Sequence, residues 1–166
     1  MHAPARPIIV LGIAPGLKSL AYSVMSSLGS SITPIDHDIL LGGHLKKSLA
    51  DLSKKAYAHA LILDVVFERN PPAVVAVGPS CNTGEAPEHL WAVRTMLEAL
   101  AGNFGVRIAT LDESRMQSAL NLGPKETLGR AVNRALGGPS DSSDRRLVLA
   151  DAIAVAGSRL LQAGAF

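Results

Sequence analysis

Three neighbouring residues, Asp36-His37-Asp38, form the densest group of possible metal ligands in the sequence. Successive side chains of an extended strand point to opposite faces, so these three cannot all converge on one ion. No further ligand follows at a spacing typical of metal sites. We therefore interpret the segment as a solvated turn or an edge strand.

Three other residues have side chains suited to chemistry. Cys81 is the only cysteine, which excludes an intrachain disulfide and a cysteine metal cluster and favours a reducing, cytoplasmic compartment. No activating His or Lys stands beside it, so a nucleophilic role is not expected. His59, near Ala60 and Leu63 in an apolar helical pattern, is expected at the core boundary. Asp151 is the one acid of an apolar stretch and has three possible roles: a remnant, a backbone cap or a ligand.

Composition indicates one globular domain spanning residues 1–166. The chain has 48% hydrophobic but only 4% aromatic residues, which suits a core of Val, Ile, Leu and Ala between helices and a buried sheet. The net charge of +2 permits a nucleic-acid partner without requiring one. The apolar run Ile8 to Ile13 is too short for a membrane span and lacks a signal-peptide cleavage pattern, so no membrane partner is expected.

The hydrophobic pattern predicts an α/β domain. Three sequential strands favour an antiparallel meander, and later strands joined through helices favour parallel pairing. Pro34 places the third strand at an edge. The result is a mixed five-stranded sheet with helices on both faces. The strands are predicted at 8–14, 20–26, 32–40, 73–77 and 106–111, and the helices at 45–67, 85–100, 114–122, 125–136 and 147–162.

This order of elements resembles the ribonuclease-H-like fold, and four motifs resemble RuvC-type Holliday-junction resolvases. Gly12-Ile13-Ala14-Pro15-Gly16, followed by Ala21-Tyr22-Ser23-Val24, is similar to the family's G-I-D-P-G and G-Y-G-V. Residues 72–78 resemble the strand that ends in a catalytic glutamate. Asn121-Leu122-Gly123 with Lys125 is similar to its glycine turn, and residues 150–156 resemble its closing D-A-A-D-A-L-A-I-A helix.

The departures from that pattern concern catalysis. The resemblance implies phosphodiester cleavage by two divalent metals about 4 Å apart, held by four acidic positions. Here Ala14, Gly78 and Val148 occupy three of those positions, and only Asp151 remains. Mg²⁺ requires oxygen ligands, so we expect no metal and no cofactor. The loss of three positions favours natural degeneration over one engineered change at Ala14.

The resemblance also implies surfaces for DNA and for a second subunit. Candidate DNA-binding residues are Lys18, after the first strand, and Arg115, Lys125 and Arg130, in the segment where relatives contact the DNA backbone. Lys54 and Lys55, on the long helix, are expected to be merely solvated. The second helix is apolar all round, which predicts burial on two sides and a homodimer. Its apolar residues are Leu90, Trp91, Val93, Leu97 and Leu100.

Three hypotheses follow. The first is a catalytically degenerate RuvC-like protein that binds branched DNA by shape and phosphate charge without cutting it. The second is an active junction endonuclease whose Mg²⁺ ligands are recruited from Asp36, Asp38 or Glu85. The third is a dimeric interaction scaffold that does not bind DNA.

Overall fold

The computed structural model describes residues 6–82, 84–139 and 144–166. Its strands are β1 (Ile8–Ala14), β2 (Ser19–Leu28), β3 (Ser31–Leu41), β4 (Val74–Val77) and β5 (Arg107–Thr110). Its helices are α1 (Leu49–Arg69), α2 (Pro87–Asn103), α3 (Glu113–Ala119), α4 (Leu128–Leu136) and α5 (Arg145–Gln162).

The strands form one mixed sheet in the order β3-β2-β1-β4-β5. β1, β2 and β3 pair antiparallel, whereas β4 lies parallel to β1 and β5 parallel to β4. One face packs against α1 and α2, and the other packs against α3, α4 and α5. The predicted ribonuclease-H-like architecture is confirmed, and β3 with Pro34 lies at the edge as expected.

Three helices begin later than the sequence pattern predicted, and α2, which begins at Pro87 and not at residue 85, differs least. α1 begins at Leu49 and not at residue 45, because the Ser48 hydroxyl accepts a hydrogen bond from the Asp51 amide at 3.2 Å and caps the helix. α4 begins at Leu128 and not at residue 125, because the Thr127 hydroxyl accepts from the Arg130 amide at 3.2 Å. In the sequence, the apolar periodicity continues on the N-terminal side of both capping residues, so it placed the start of each helix too early.

α5 packs closely against the centre of the sheet. Its residues from Ala150 to Ser158 are all buried. A Cβ atom at Gly12 of β1 would lie 2.6 Å from the backbone nitrogen of Ala154 and 2.8 Å from the carbonyl oxygen of Ala150. A Cβ at Gly157 would lie 2.8 Å from the Cβ of Ala76 on β4. A glycine on each partner therefore lets the helix backbone approach the sheet more closely than side chains would allow.

Within the described residues, no helix is both long enough and apolar enough to cross a membrane.

Replacing Gly12 with alanine tests this close approach. The new methyl group meets helix backbone, which cannot rotate aside, so Gly12→Ala is expected to lower the free energy of unfolding by at least about 2 kcal/mol. Gly102→Ala is the matched control, since a Cβ at that exposed position of α2 meets nothing within 4 Å. The control is expected to raise stability by up to about 1 kcal/mol. Equal effects in urea unfolding would contradict the packing described.

Candidate nucleic-acid cleft

A cleft of about 1030 Å³, here called the main cleft, opens where the loop after β4 meets the N-terminal ends of α4 and α5. An adjoining side pocket of about 410 Å³ shares Cys81, Asn82 and Arg146 with the main cleft, and is also lined by Lys18, Ser19, Leu41 and Gly43. The main cleft is lined by residues 80–82, 127–129, 144–146, 148 and 149.

Apolar groups and a thiol surround the positions that resemble the family's acidic ones. Ala14 is fully buried, and the Sγ atom of Cys81 lies 3.7 Å from its carbonyl oxygen. At Gly78, a Cβ atom would lie 2.5 Å from both Cδ1 and Cγ1 of Ile153. Val148 lines the main cleft. No longer side chain fits at Gly78 unless Ile153 moves, and Ile153 is itself fully buried.

Asp151 does not line the main cleft. Its side chain is 3% exposed, and its Oδ1 lies 3.2 Å from Nδ1 of His37 on β3. Both residues line a third pocket of about 440 Å³ on the β3 side of the domain. Asp151 therefore ties α5 to the edge strand. The sequence singled out both residues but gave no indication that they pair, because 114 positions separate them.

The acids considered as recruited metal ligands have other partners. Asp36 accepts a hydrogen bond from the Tyr22 hydroxyl at 3.1 Å, on the sheet face opposite to α5. Burial, followed by the neighbouring Asp36 carboxylate, raises the pKa of Tyr22, so the phenol keeps its proton. Glu85 accepts from the Leu17 amide at 2.9 Å. The hydrogen bonds of Asp36 and His37 point to opposite faces, as expected of adjacent strand residues, because His37 bonds Asp151 of α5 while Asp36 bonds Tyr22. Asp36, His37 and Asp151 nevertheless all line the third pocket.

These residues do not fit a two-metal centre. The three substituted positions offer no side-chain oxygen, and Asp151 lines a different pocket. Among the described residues, no group of three or more His, Cys, Asp or Glu side chains is arranged to hold a metal ion. Burial also raises the pKa of the Cys81 thiol, which keeps it protonated and a weak ligand.

Buried polar residues hold the turn that carries Lys18. The Leu17 amide donates to Glu85, and the Leu17 carbonyl accepts from Nε2–H of His59 at 3.0 Å. His59 is buried and does not lie at the core boundary, and burial lowers its pKa so that the imidazole is neutral. The carbonyl of Lys18 accepts from the Gly42 amide at 2.8 Å. The backbone of the turn is fixed, and the Lys18 side chain is exposed beside the side pocket.

The predicted DNA-binding residues do not all lie together. Lys125 and Arg130 are exposed and flank residues 127–129, which line the main cleft. Arg115 donates to the Ala165 carbonyl at 2.9 Å, and its guanidinium lies 5.2 Å from the centroid of the Phe166 ring. Those partners follow the C-terminal end of α5, whereas the cleft lies at the N-terminal end of this helix, which has 18 residues and is about 27 Å long. Among the candidate DNA-binding residues, Arg115 therefore lies apart from the main cleft.

Sequence reasoning missed two cleft residues and misjudged the exposure of Lys55. Arg145 and Arg146 open α5 and line the main cleft, but the pattern had assigned residues 137–146, of which 140–143 lie outside the described residues, to a loop. The signal that could have identified them is the pair of consecutive arginines directly before an apolar helix. Lys55 was expected to be merely solvated, yet it is half-buried, with Nζ 3.9 Å from where a Cβ at Gly43 would lie.

Comparison with solved structures identifies proteins of the same fold. The chain is similar to a Thermus thermophilus RuvC structure, with a TM-score of 0.80, 20% identity, and coverage of 95% of this chain and 97% of that one. It is similar to T. thermophilus RuvC in complex with a Holliday junction substrate, with a TM-score of 0.79, 19% identity and the same coverage. A fowlpox virus Holliday junction resolvase matches at a TM-score of 0.52 and 10% identity, over 94% of this chain and 99% of that one. No family model and no curated protein matches the chain. The chain therefore has the ribonuclease-H-like fold in its RuvC form.

A double-mutant cycle tests the packing of Ile153 on Gly78. Gly78→Ala is expected to lower the free energy of unfolding by about 1–3 kcal/mol, because its methyl group overlaps Ile153. In an Ile153→Ala background the overlapping atoms are gone, so the same change is expected to cost less, with a coupling of roughly 1 kcal/mol or more. Additive effects in urea unfolding would show that Ile153 does not occupy the space beside Gly78.

Proposed function

We propose that this chain is a RuvC-like protein that binds branched DNA in the main cleft and does not cut it by the two-metal route. The observation that carries the proposal is the makeup of the main cleft. Val148, one of the positions where the resemblance implies an acid, lines it together with Arg145 and Arg146, and none of Ala14, Gly78 and Val148 offers a side-chain oxygen. The similar RuvC structure solved with a Holliday junction supports the choice of ligand.

The absence of two-metal cleavage follows from coordination chemistry. Hard divalent cations are held by several oxygen ligands, above all carboxylates. Two such ions are needed to activate the attacking water and to stabilise the leaving oxygen. Ala14, Gly78 and Val148 offer no side-chain donor, and Asp151 is engaged with His37 in another pocket.

Binding of DNA requires less than cleavage does. Lys and Arg that neutralise phosphates supply affinity without any metal ligand, and they do not need the net charge of a protein to be large. Five cationic residues lie at the main cleft and the side pocket. Arg145 and Arg146 line the main cleft, and Lys18 lines the side pocket together with Arg146. Lys125 and Arg130 flank residues 127–129, which line the main cleft. Asp144 is the one acid that lines the main cleft among the described residues, and it is paired with Arg146 at 3.0 Å.

The protein is further proposed to be a homodimer, through a surface different from the one the sequence indicated. Val93, Leu97 and Leu100 of α2 lie in the core of the monomer, so α2 is not apolar on two free sides. Trp91, in contrast, is 64% exposed and lies beside an exposed apolar stripe of α1. The stripe consists of Tyr57, Leu61, Ile62 and Val65.

This apolar face is also what favours the second candidate function, a dimeric interaction scaffold without DNA binding. Contiguous exposed apolar surface on a folded domain marks an interaction site. The two candidates differ only in whether the main cleft still takes DNA.

Gel-shift titration with a four-way junction tests DNA binding. The junction is expected to bind about tenfold more tightly than a linear duplex of the same length at about 0.1 M salt, a difference of about 1.4 kcal/mol. Junction strands recovered after incubation with Mg²⁺ or Mn²⁺ are expected to be intact. The double variant Lys125→Gln/Arg130→Gln should flatten the slope of log affinity against log salt by about 0.9 for each phosphate that the variant no longer neutralises.

Lys54→Gln is the matched control, since Lys54 is exposed on α1 and lines neither the main cleft nor the side pocket. Equal affinity for junction and duplex would contradict DNA recognition and leave the scaffold function. Metal-dependent cleavage of the junction would contradict catalytic degeneration.

Light scattering coupled to gel filtration tests the dimer. The wild-type protein is expected to elute with twice the mass of one chain at tens of micromolar. Val65→Asp combined with Trp91→Glu is expected to give a monomer, because each change places a charge in the apolar face. Glu98→Gln, on the exposed surface of α2, is the control that should stay dimeric. A monomeric wild-type protein would refute the assignment of this face.

A further inference from the structure

The side pocket is lined by two cationic residues and by no acidic one among the described residues, and Asp144, outside its lining, pairs with Arg146 at 3.0 Å. The two cationic residues are Lys18 and Arg146. The Nζ atom of Lys55 approaches Gly43, another lining residue. Within the described parts of the chain, Lys18 makes no ion pair.

Both cations are supported by fixed structure. The backbone of Lys18 sits in the turn held by Glu85, His59 and Gly42. Arg146 is oriented by two side-chain hydrogen bonds to Asp144, from Nε at 3.1 Å and from Nη2 at 3.0 Å. Its Nη1 makes no hydrogen bond to the described residues, so one edge of the guanidinium is available to an incoming anion. An arginine held in this way loses little freedom when it binds phosphate.

The remaining polar residues of the pocket bond to one another and to the backbone. Ser19, Cys81 and Asn82 form a connected polar wall, in which the Asn82 amide nitrogen donates to the Ser19 carbonyl at 3.0 Å. The wall therefore holds its own shape without using Lys18 or Arg146. At about 410 Å³ the pocket is in the size range of small-ligand sites.

We propose that the side pocket binds one backbone phosphate of the DNA, with Lys18 and Arg146 supplying the positive charge that divalent metals supply in a carboxylate-lined site. This inference rests on the proposed function and deepens it, because it names the residues and the chemical group. It makes junction binding independent of divalent metal: the fixed cations replace ions that would otherwise have to be recruited from solution.

Fluorescence anisotropy with a labelled four-way junction tests the proposal, with EDTA or with Mg²⁺ present, over a series of salt concentrations. The wild-type protein is expected to bind in EDTA at least as tightly as in Mg²⁺, which competes as a counterion. Lys18→Gln/Arg146→Gln is expected to flatten the slope of log affinity against log salt by about 0.9, the value for one neutralised phosphate. Lys54→Gln should leave the slope unchanged. Arg146→Lys keeps the positive charge, so its slope should stay close to that of the wild-type protein.

The outcomes separate this inference from the function on which it rests. Tight junction binding by wild type, with an unchanged slope in a folded Lys18→Gln/Arg146→Gln variant, would overturn the side-pocket site and leave the proposed function standing. A requirement for Mg²⁺ in binding would also overturn it. If the wild-type protein binds no junction under any condition, the proposed function fails as well. Thermal melts followed by circular dichroism show that each variant is folded.

Discussion

The close packing of α5 on the centre of the sheet determines most of this structure. Gly12 and Gly157 remove the side chains that would hold the helix away from β1 and β4. The same packing brings the first turn of α5 to the ends of those strands, where the main cleft opens. A long, almost wholly apolar helix can be buried in this way only because the sheet beneath it is apolar too.

That packing also connects the stability of this chain to its chemistry. In a two-metal site, carboxylates at the strand ends and on the helix must leave room for ions between them. Here the space beside Gly78 is filled by Ile153, and Cys81 lies over Ala14. Asp151, the acid that remains, is hydrogen-bonded to His37 and fixes the helix to β3. At these positions the chain has groups that pack the fold and no side-chain oxygens, and arginines line the cleft nearby.

The fold could be predicted from the sequence because its signals are local. Apolar runs, helical periodicity and glycine turns placed all five strands and all five helices, and Pro34 placed the edge. Interactions between distant residues could not be predicted in the same way. Nothing local showed that His37 meets Asp151 or that Arg115 binds the C-terminal residues. The apolar pattern of α2 predicted an exposed apolar surface that the structure does not have, because the sequence does not show which of these residues pack against the sheet.

The central claim is that the RuvC-like cleft of this chain holds no catalytic metal, and titration calorimetry with Mn²⁺ tests it most directly. Titration of the protein, alone and with a bound four-way junction, should give no binding heat beyond dilution. Wild type and Asp151→Asn should then be indistinguishable. A saturable isotherm with two Mn²⁺ ions per chain, abolished in Asp151→Asn, would contradict the account and restore a two-metal enzyme.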